Sequence, residues 1–253
     1  MSYNIKYANE NDGDDSWSKR KDFITNQLKF YEPDFLGVQE AVELQMDHFK
    51  NSLNSYDFIG VGREDGKQKG EFSGIFYKKD RFRVINTETF WLSETPSKVS
   101  TGWDAALPRI CTYGLFEDII SRKRFYYFNT HFDHIGIEAR LQSAKLILKK
   151  IKEINSENLP VILSGDFNLE PESEGIQTIS LELNDAKEMA QNVSFGSEGT
   201  FNNFDFEQPA TRRIDYIFTN AKVTIEKYGV LTDSKLKHYP SDHFPILVFA
   251  KLE

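Results

Sequence analysis

The chain has 253 residues, 39% of them hydrophobic and 14% aromatic, enough to bury a substantial core in one large domain. No Gly-, Ser- or Pro-rich linker, like-charge run or internal repeat divides it, so one domain over residues 1–253 is expected. A formal net charge of -8 argues against tight non-specific binding of duplex nucleic acid, which runs on Lys and Arg displacing counterions, but not against a metal-using nuclease.

Ser2–Tyr7 reads as an extended start. Ser16 stands where an N-cap is expected, ahead of a helix with Phe23, Ile24, Leu28 and Tyr31 on one face, closed before Pro33. Asp34–Gln39 is a short apolar strand, and Val42, Met46, Phe49 and Leu53 recur at helical spacing. Tyr56–Val61 and Gly74–Lys78 predict strands, with β-rich sequence following to Leu92. Ile110–Asp118 and Phe125–Phe132 predict a strand pair that turns near Ser121–Arg124. The single cysteine, Cys111, lies in the first of these, is read as a buried inert thiol, and excludes an intramolecular disulfide. Leu141, Ala144, Leu148 and Ile151 mark another amphipathic helix, and Leu159–Ser164 a buried strand. The last third predicts strands at Arg213–Thr219, Val223–Val230 and Phe244–Ala250. Many strands with a few long helices in mixed order argue for an α/β sandwich with helices outside the sheets. No transmembrane run or signal peptide is visible, so membrane insertion is not expected. Met1 abuts the first strand directly, which reads as a leader trimmed from an exported chain and leaves the compartment open. No protein partner is inferable, and a monomer is expected.

Polar residues gather at the ends of these strands, where an α/β scaffold places its sites. Glu40 ends the second strand, Asn129 and His131 the Phe125 strand, and Asp166 and Asn168 follow Val161–Gly165. Asp242 and His243 precede the last strand. Each has a bland explanation. Asp-Phe-Asn and Ser-Asp-His are ordinary turn sequences, Glu40 suits a helix N-terminus, and His131 suits a satisfied core histidine. Asp215 is harder to dismiss, because a carboxylate amid Ile214, Tyr216, Ile217 and Phe218 wants a cation. Together, Glu40, Asp166, Asn168, Asp242 and Asn4 form the oxygen-rich set that a hard cation such as Mg²⁺ prefers, with no zinc-type His/Cys spacing. Two histidines beside carboxylates can move protons, and Arg109 can clamp a phosphate.

The motifs Ser2-Tyr3-Asn4-Ile5, Gln39-Glu40, Gly70-Glu71, Pro108-Arg109, Asn129-Thr130-His131, Gly165-Asp166-Phe167-Asn168, Arg213-Ile214-Asp215-Tyr216 and Ser241-Asp242-His243 occur in that order across nearly the whole chain. In this the sequence resembles the endonuclease/exonuclease/phosphatase superfamily, which includes deoxyribonuclease I, abasic-site endonucleases, nocturnin-type deadenylases, neutral sphingomyelinases and inositol polyphosphate phosphatases. Gly60–Gly66, Gly70–Phe82 and Phe90–Pro96 resemble the deadenylase-like branch and its bacterial relatives. The resemblance implies a deoxyribonuclease I-like four-layer sandwich, two packed mixed β-sheets flanked by helices. It implies Glu40 as principal ligand of Mg²⁺ or Mn²⁺ with Asn4 nearby. Asp166, Asn168 and Asp242 would bind metal, water or phosphate. His243 would be oriented by Asp215, and His131 would contact phosphate with Glu71 as its partner. Arg109 and Asn129 would hold phosphate oxygens.

The expected activity is hydrolysis of phosphate esters. A phosphodiesterase, either an endonuclease or an exonuclease on nucleic acid, is the leading reading. A phosphomonoesterase on a sugar, inositol or nucleotide phosphate is the alternative. A sphingomyelinase-like lipid phosphodiesterase or a scaffold without catalysis is disfavoured. Trp103 is a candidate for stacking on a base or sugar, Trp91 a weaker one. His134 lies within reach of the His131 strand end, the Phe201–Phe204 loop is a candidate entrance wall, and Asn11–Asp15 reads as a solvated turn.

Overall fold

Phe125–Phe128 and Val161–Leu163, aromatic and β-branched runs flanked by turns, pair as parallel strands at the centre of a sheet whose two faces are both covered. The computed structural model describes residues 1–253. In chain order the elements are β1 (Ser2–Asn4), α1 (Trp17–Tyr31), β2 (Phe35–Ala41), α2 (Glu43–Ser52), β3 (Tyr56–Ile59), β4 (Phe72–Lys78), β5 (Phe82–Trp91), β6 (Ile110–Asp118), β7 (Arg124–His131), α3 (Ile137–Ile154), β8 (Val161–Asp166), α4 (Glu174–Ser180), β9 (Asn184–Asp185), α5 (Ala186–Met189), β10 (Val193–Gly196), β11 (Asp215–Thr219), β12 (Val223–Val230) and β13 (Ile246–Leu252). A seven-stranded sheet runs β10-β12-β13-β1-β2-β4-β3 and a six-stranded sheet runs β5-β6-β7-β8-β11-β9. Both mix parallel and antiparallel pairs.

The core is divided by this layering. Ile147, Leu148 and Ile151 of α3 and Ile176 and Ile179 of α4 pack on Tyr113, Phe128, Leu163 and Phe218 of the six-stranded sheet. Trp17, Ile24 and Leu28 of α1 and Met46 and Phe49 of α2 cover Tyr3, Val38 and Phe76 of the other sheet. Phe35, Ile75 and Tyr77 meet Phe116, Phe125 and Tyr127 between the sheets. The result is the helix–sheet–sheet–helix sandwich of deoxyribonuclease I-like folds. Cys111 is buried in one of these layers, and burial pushes its thiol far above its usual range. No helix is long and apolar enough to cross a membrane.

Three sequence expectations shift. The first strand stops at Asn4, because Lys6 takes a left-handed backbone, φ 55°. Ser16 does hold the N-cap position of α1, but its side chain makes no capping hydrogen bond and contacts Ser18 Oγ instead. The short elements α4, α5, β9 and β10 are added, too brief for a readable period.

Asn129 belongs to this core rather than to the site, which corrects its assignment as a phosphate holder. It is 0% exposed. Its Nδ2 donates to Val38 O at 2.8 Å and Gly74 O at 2.9 Å, and its Oδ1 accepts from Gln39 Nε2 at 2.6 Å and Ser164 Oγ at 3.1 Å. The amide thus stitches the two sheets together with every bonding position in use. Gly37 permits the approach, since a Cβ there would lie 2.6 Å from both Asn129 Oδ1 and Ser164 Oγ. Gly37→Ala is expected to destabilise the fold by about 1–3 kcal/mol through overpacking of this buried network. Urea denaturation followed by circular dichroism measures it, and an unchanged midpoint would show that the sheets can part locally at no cost.

Candidate active site

Register builds the site. His131, the last residue of β7, pairs with Asp166, the last of β8, which pairs with Asp215, the first of β11. Residues level with one another on neighbouring strands point to the same face, so these three form a row at one edge of the six-stranded sheet. Asn4 and Glu40 come from the same end of the facing sheet, on β1 and β2. Glu40 reaches the row because β2 bulges there. Val38 pairs with Gly74 and Ala41 with Phe72, so three steps along β2 answer two along β4. The extra residue is accommodated by a left-handed Glu40, φ 63°, in the way bulges re-aim side chains beside active sites.

The polar contacts are dense. Asn4 Nδ2 bridges Glu40 Oε1 at 3.0 Å and Asp166 Oδ2 at 2.9 Å, while its Oδ1 accepts from Lys6 N. The amide nitrogen therefore faces the carboxylates. Asn4 aligns the two acids, and its oxygen is turned away from the position expected of a ligand. Asp166 Oδ1 accepts from the backbone of Asn168, whose Nδ2 lies 3.2 Å from His131 Nε2. One ligand atom each from Glu40, His131 and Asp166, and likewise from Asp166, Asp215 and His243, lie within 4.8 Å of one another. Asp242 stands beside these groups, with Lys6 Nζ at 3.5 Å from its Oδ2.

His243 Nδ1 lies 2.8 Å from Asp215 Oδ2, and a carboxylate accepts, so Nδ1 carries a proton and Nε2 is left facing Asp166 Oδ2 at 3.8 Å. The buried carboxylate of Asp215 has thus found the histidine it was expected to need. Burial by itself would lower the His243 pKa, but Asp215 and Asp166 outweigh it and hold it up to about 10. Burial by itself would raise Glu40, but His131, Lys6 and His243 draw it down to about 2. Asp166 is pushed up by burial and by Asp215. Phe201 sets its ring edge-on to His243, with centroids 5.1 Å apart, and Asn202 Nδ2 donates to Ser241 O. The loop read as an entrance wall does border the site.

Glu71 has a second partner that the sequence reading did not name. It lies beside His131, its Oε2 3.6 Å from Nδ1, and is also held bidentately by Arg63 at 2.7 and 2.9 Å. Sequence reasoning missed Arg63. The only trace was its place in the Gly60–Gly66 stretch, since nothing in spacing links it to Glu71. Trp91, fully packed, donates Nε1–H to Arg63 O, so its role is to seat this arginine rather than to stack a ligand. Arg109 is buried, with Nε on Asp133 and Nη2 on His134 Nδ1. Arg63 Nε and Arg109 Nη1 have no partner. Trp103 is half-buried on the loop before Arg109, in a left-handed backbone at φ 49°, with its N–H held by Glu94. No hydrogen bond ties it to the cluster.

The family model described as endonuclease/exonuclease/phosphatase family matches residues 1–243. Among solved structures, the mannosyl-6-phosphatase of Bacteroides thetaiotaomicron superposes with a TM-score of 0.96 at 41% identity, covering 99% of this chain and 98% of that one. The human nocturnin catalytic domain superposes with a TM-score of 0.77 at 21% identity over 99% of this chain and 92% of that one, a likeness of fold. Rat nocturnin is 24% identical over 91% of this chain, which spans 58% of its length. With the strand-end acids and histidines gathered in one cleft, this match over nearly the whole length establishes that the chain belongs to the endonuclease/exonuclease/phosphatase family and is a hydrolase of phosphate esters.

Proposed function

We propose that the chain is a divalent-metal-dependent phosphomonoesterase acting on a sugar phosphate. The observation that carries this is the end-to-end likeness, at 41% identity, to a protein named a mannosyl-6-phosphatase. Relatives named as nucleases are far more distant, as the 3'-5'-exoribonuclease subunit Ccr4 of Mycosarcoma maydis at 22% identity illustrates. The side wall agrees. A monoester phosphate carries one more negative charge than a diester, and Arg63, which reaches His131 through Glu71, and Arg109 bring two guanidinium groups to this side of the cleft. The net charge of -8 gives a long nucleic-acid strand little to follow. This reverses the order of the two sequence readings, which put the phosphodiesterase first.

The donor set fits Mg²⁺ or Mn²⁺. Glu40, Asp166, Asp215 and Asp242 crowd buried negative charge into one cleft, and their countercharges are Lys6 and the two histidines. A hard divalent ion bound by Glu40 and Asp166, with Asp242 and the Asn168 amide beside them, would offset that excess. When bound it supplies charge neutralisation at the phosphoryl and leaving oxygens. Asp166, held between the Asn4 amide and the Asn168 N–H, is the group best placed to take a proton from the attacking water. His243, fixed through Nδ1 by Asp215, presents Nε2 to a phosphoryl oxygen. His131 lies 3.5 Å from Asp166 through Nε2 and borders the same phosphate position, with Glu71 steadied by Arg63 behind it. Arg109 holds the remaining oxygens, and Trp103 offers a face for the sugar ring.

With Mg²⁺ or Mn²⁺, release of phosphate from a hexose phosphate esterified at its primary hydroxyl is expected to exceed cleavage of bis-(p-nitrophenyl) phosphate and of single-stranded RNA. EDTA should abolish it. Diester or RNA cleavage with no monoester turnover would return the assignment to the nuclease reading.

His243→Ala is expected to lower kcat by about 10²–10⁴-fold with an unchanged circular dichroism spectrum. Near-normal turnover in that variant would remove His243 from the chemistry. Glu40→Gln should abolish the rise in melting temperature that Mg²⁺ gives the parent protein, because an ion that binds only the folded state stabilises it. An equal rise in both proteins would place the ion elsewhere.

A further inference from the structure

We propose that Arg20, on α1 and outside the reaction cleft, is the positioning residue that shapes the cation site through the backbone. The inference rests on reading the cleft around Glu40 as a cation site.

Arg20 is 4% exposed and touches no carboxylate. Its guanidinium donates only to main-chain carbonyls: Nε to Asp15 O at 2.8 Å, Nη1 to Ile5 O at 2.5 Å and Pro240 O at 3.1 Å, and Nη2 to Lys6 O at 2.7 Å and Tyr7 O at 3.3 Å. Trp17 and Phe204 flank it, their ring centroids 5.4 and 5.7 Å away. All five donors are used, which an arginine fork can do and a lysine cannot.

The carbonyls it grips share peptide units with the N–H groups that serve the cleft. A trans peptide is planar, and its C=O and N–H point in opposite directions. Holding Ile5 O towards α1 therefore turns Lys6 N–H the other way, where it donates to Asn4 Oδ1 at 3.0 Å. Holding Lys6 O likewise turns Tyr7 N–H to Glu40 Oε2 at 3.1 Å. The first contact fixes which way the Asn4 amide faces, and so its bridge to Glu40 and Asp166. The second fixes Glu40 itself. Lys6 sits at φ 55°, a left-handed conformation that is strained for a residue with a side chain, so the loop would relax if released. The bond to Pro240 O joins this loop to the one carrying Asp242 and His243, and Ser241 Oγ donates to Asn4 O beside it at 2.8 Å. One side chain thus sets the relative placement of acids drawn from three separate segments.

The test is Mn²⁺ binding, read by electron paramagnetic resonance without substrate, with kcat and KM measured in parallel. Arg20→Lys keeps charge and length but lacks donors for both loops. It is expected to bind Mn²⁺ about 10–100-fold more weakly, the range seen when groups that orient metal ligands are removed. Its kcat should fall while its KM for the phosphate ester changes little. Asp233→Asn is the comparison. Asp233 accepts from Gln27 Nε2 and Tyr31 Oη of the same helix, so its loss loosens α1 without touching the 5–7 loop. It should lower the melting temperature and leave Mn²⁺ affinity unchanged. Equal Mn²⁺ affinity in Arg20→Lys and the parent overturns the proposal, as does an equal loss in Asp233→Asn. Absence of Mn²⁺ binding by the parent itself would instead overturn the cation-site reading.

Discussion

Four carboxylates, Glu40, Asp166, Asp215 and Asp242, are gathered within one largely buried cleft, and mutual repulsion in a poorly solvated space is the constraint the surrounding structure answers. Each is met by a specific group. Asp215 has His243, Asp242 has Lys6, and Glu40 and Asp166 share the Asn4 amide. The compensation is uneven. Asp166 and Asp242 are pushed upwards by burial, with Asp215 adding to the first and Glu40 to the second. Glu40 is drawn down by the cations around it. Such an imbalance suits a site that completes its charge with something from solution.

The sandwich is what makes the crowding possible. A single sheet places acids in a row at its edge, but both its faces must then be covered by apolar packing. Two sheets that end together allow the second to bring its own acid towards that row from the opposite side. Parallel pairing of β7 with β8 and of β1 with β2 puts the ends of all four strands on one side of the molecule. Asn129, Gln39 and Ser164 lock the sheets just beneath the cleft, so the distance between Glu40 and Asp166 is set by a buried network as well as by their own contacts. The bulge at Glu40 then supplies a change of direction that regular alternation could not.

Much of this was legible in the sequence. Periodicity located the long helices and central strands, and eight ordered motifs gave the fold family and most of the cleft. What escaped has a common cause. The role of Asn129 depends on which sheet faces it, that of Asn4 on which end of an amide Lys6 N–H occupies, and that of Arg63 on a carboxylate eight positions away that no periodicity links to it. Residue type told which side chains were polar and near strand ends. It did not tell how many of their bonds were already committed, because that is a property of three-dimensional neighbours. Asp215 is the instructive exception. A charge inside an apolar strand has so few affordable explanations that the need for a cationic partner could be read from the sequence, and the partner was His243.

The cleft divides into two parts with different demands. Its acidic floor comes from strand ends whose positions the fold dictates. Its arginine wall comes from the loop between β3 and β4 and from the end of the long connection into β6, where insertions and substitutions leave the sheets intact. Arg63 and Arg109 are nevertheless buried and anchored by Glu71, Trp91 and Asp133. A loop fixed this firmly presents its charges at set positions without reordering on binding, which favours a compact anion over a chain that must be threaded. The proposed sugar-phosphate substrate suits a wall held this rigidly as much as it suits the wall's charge.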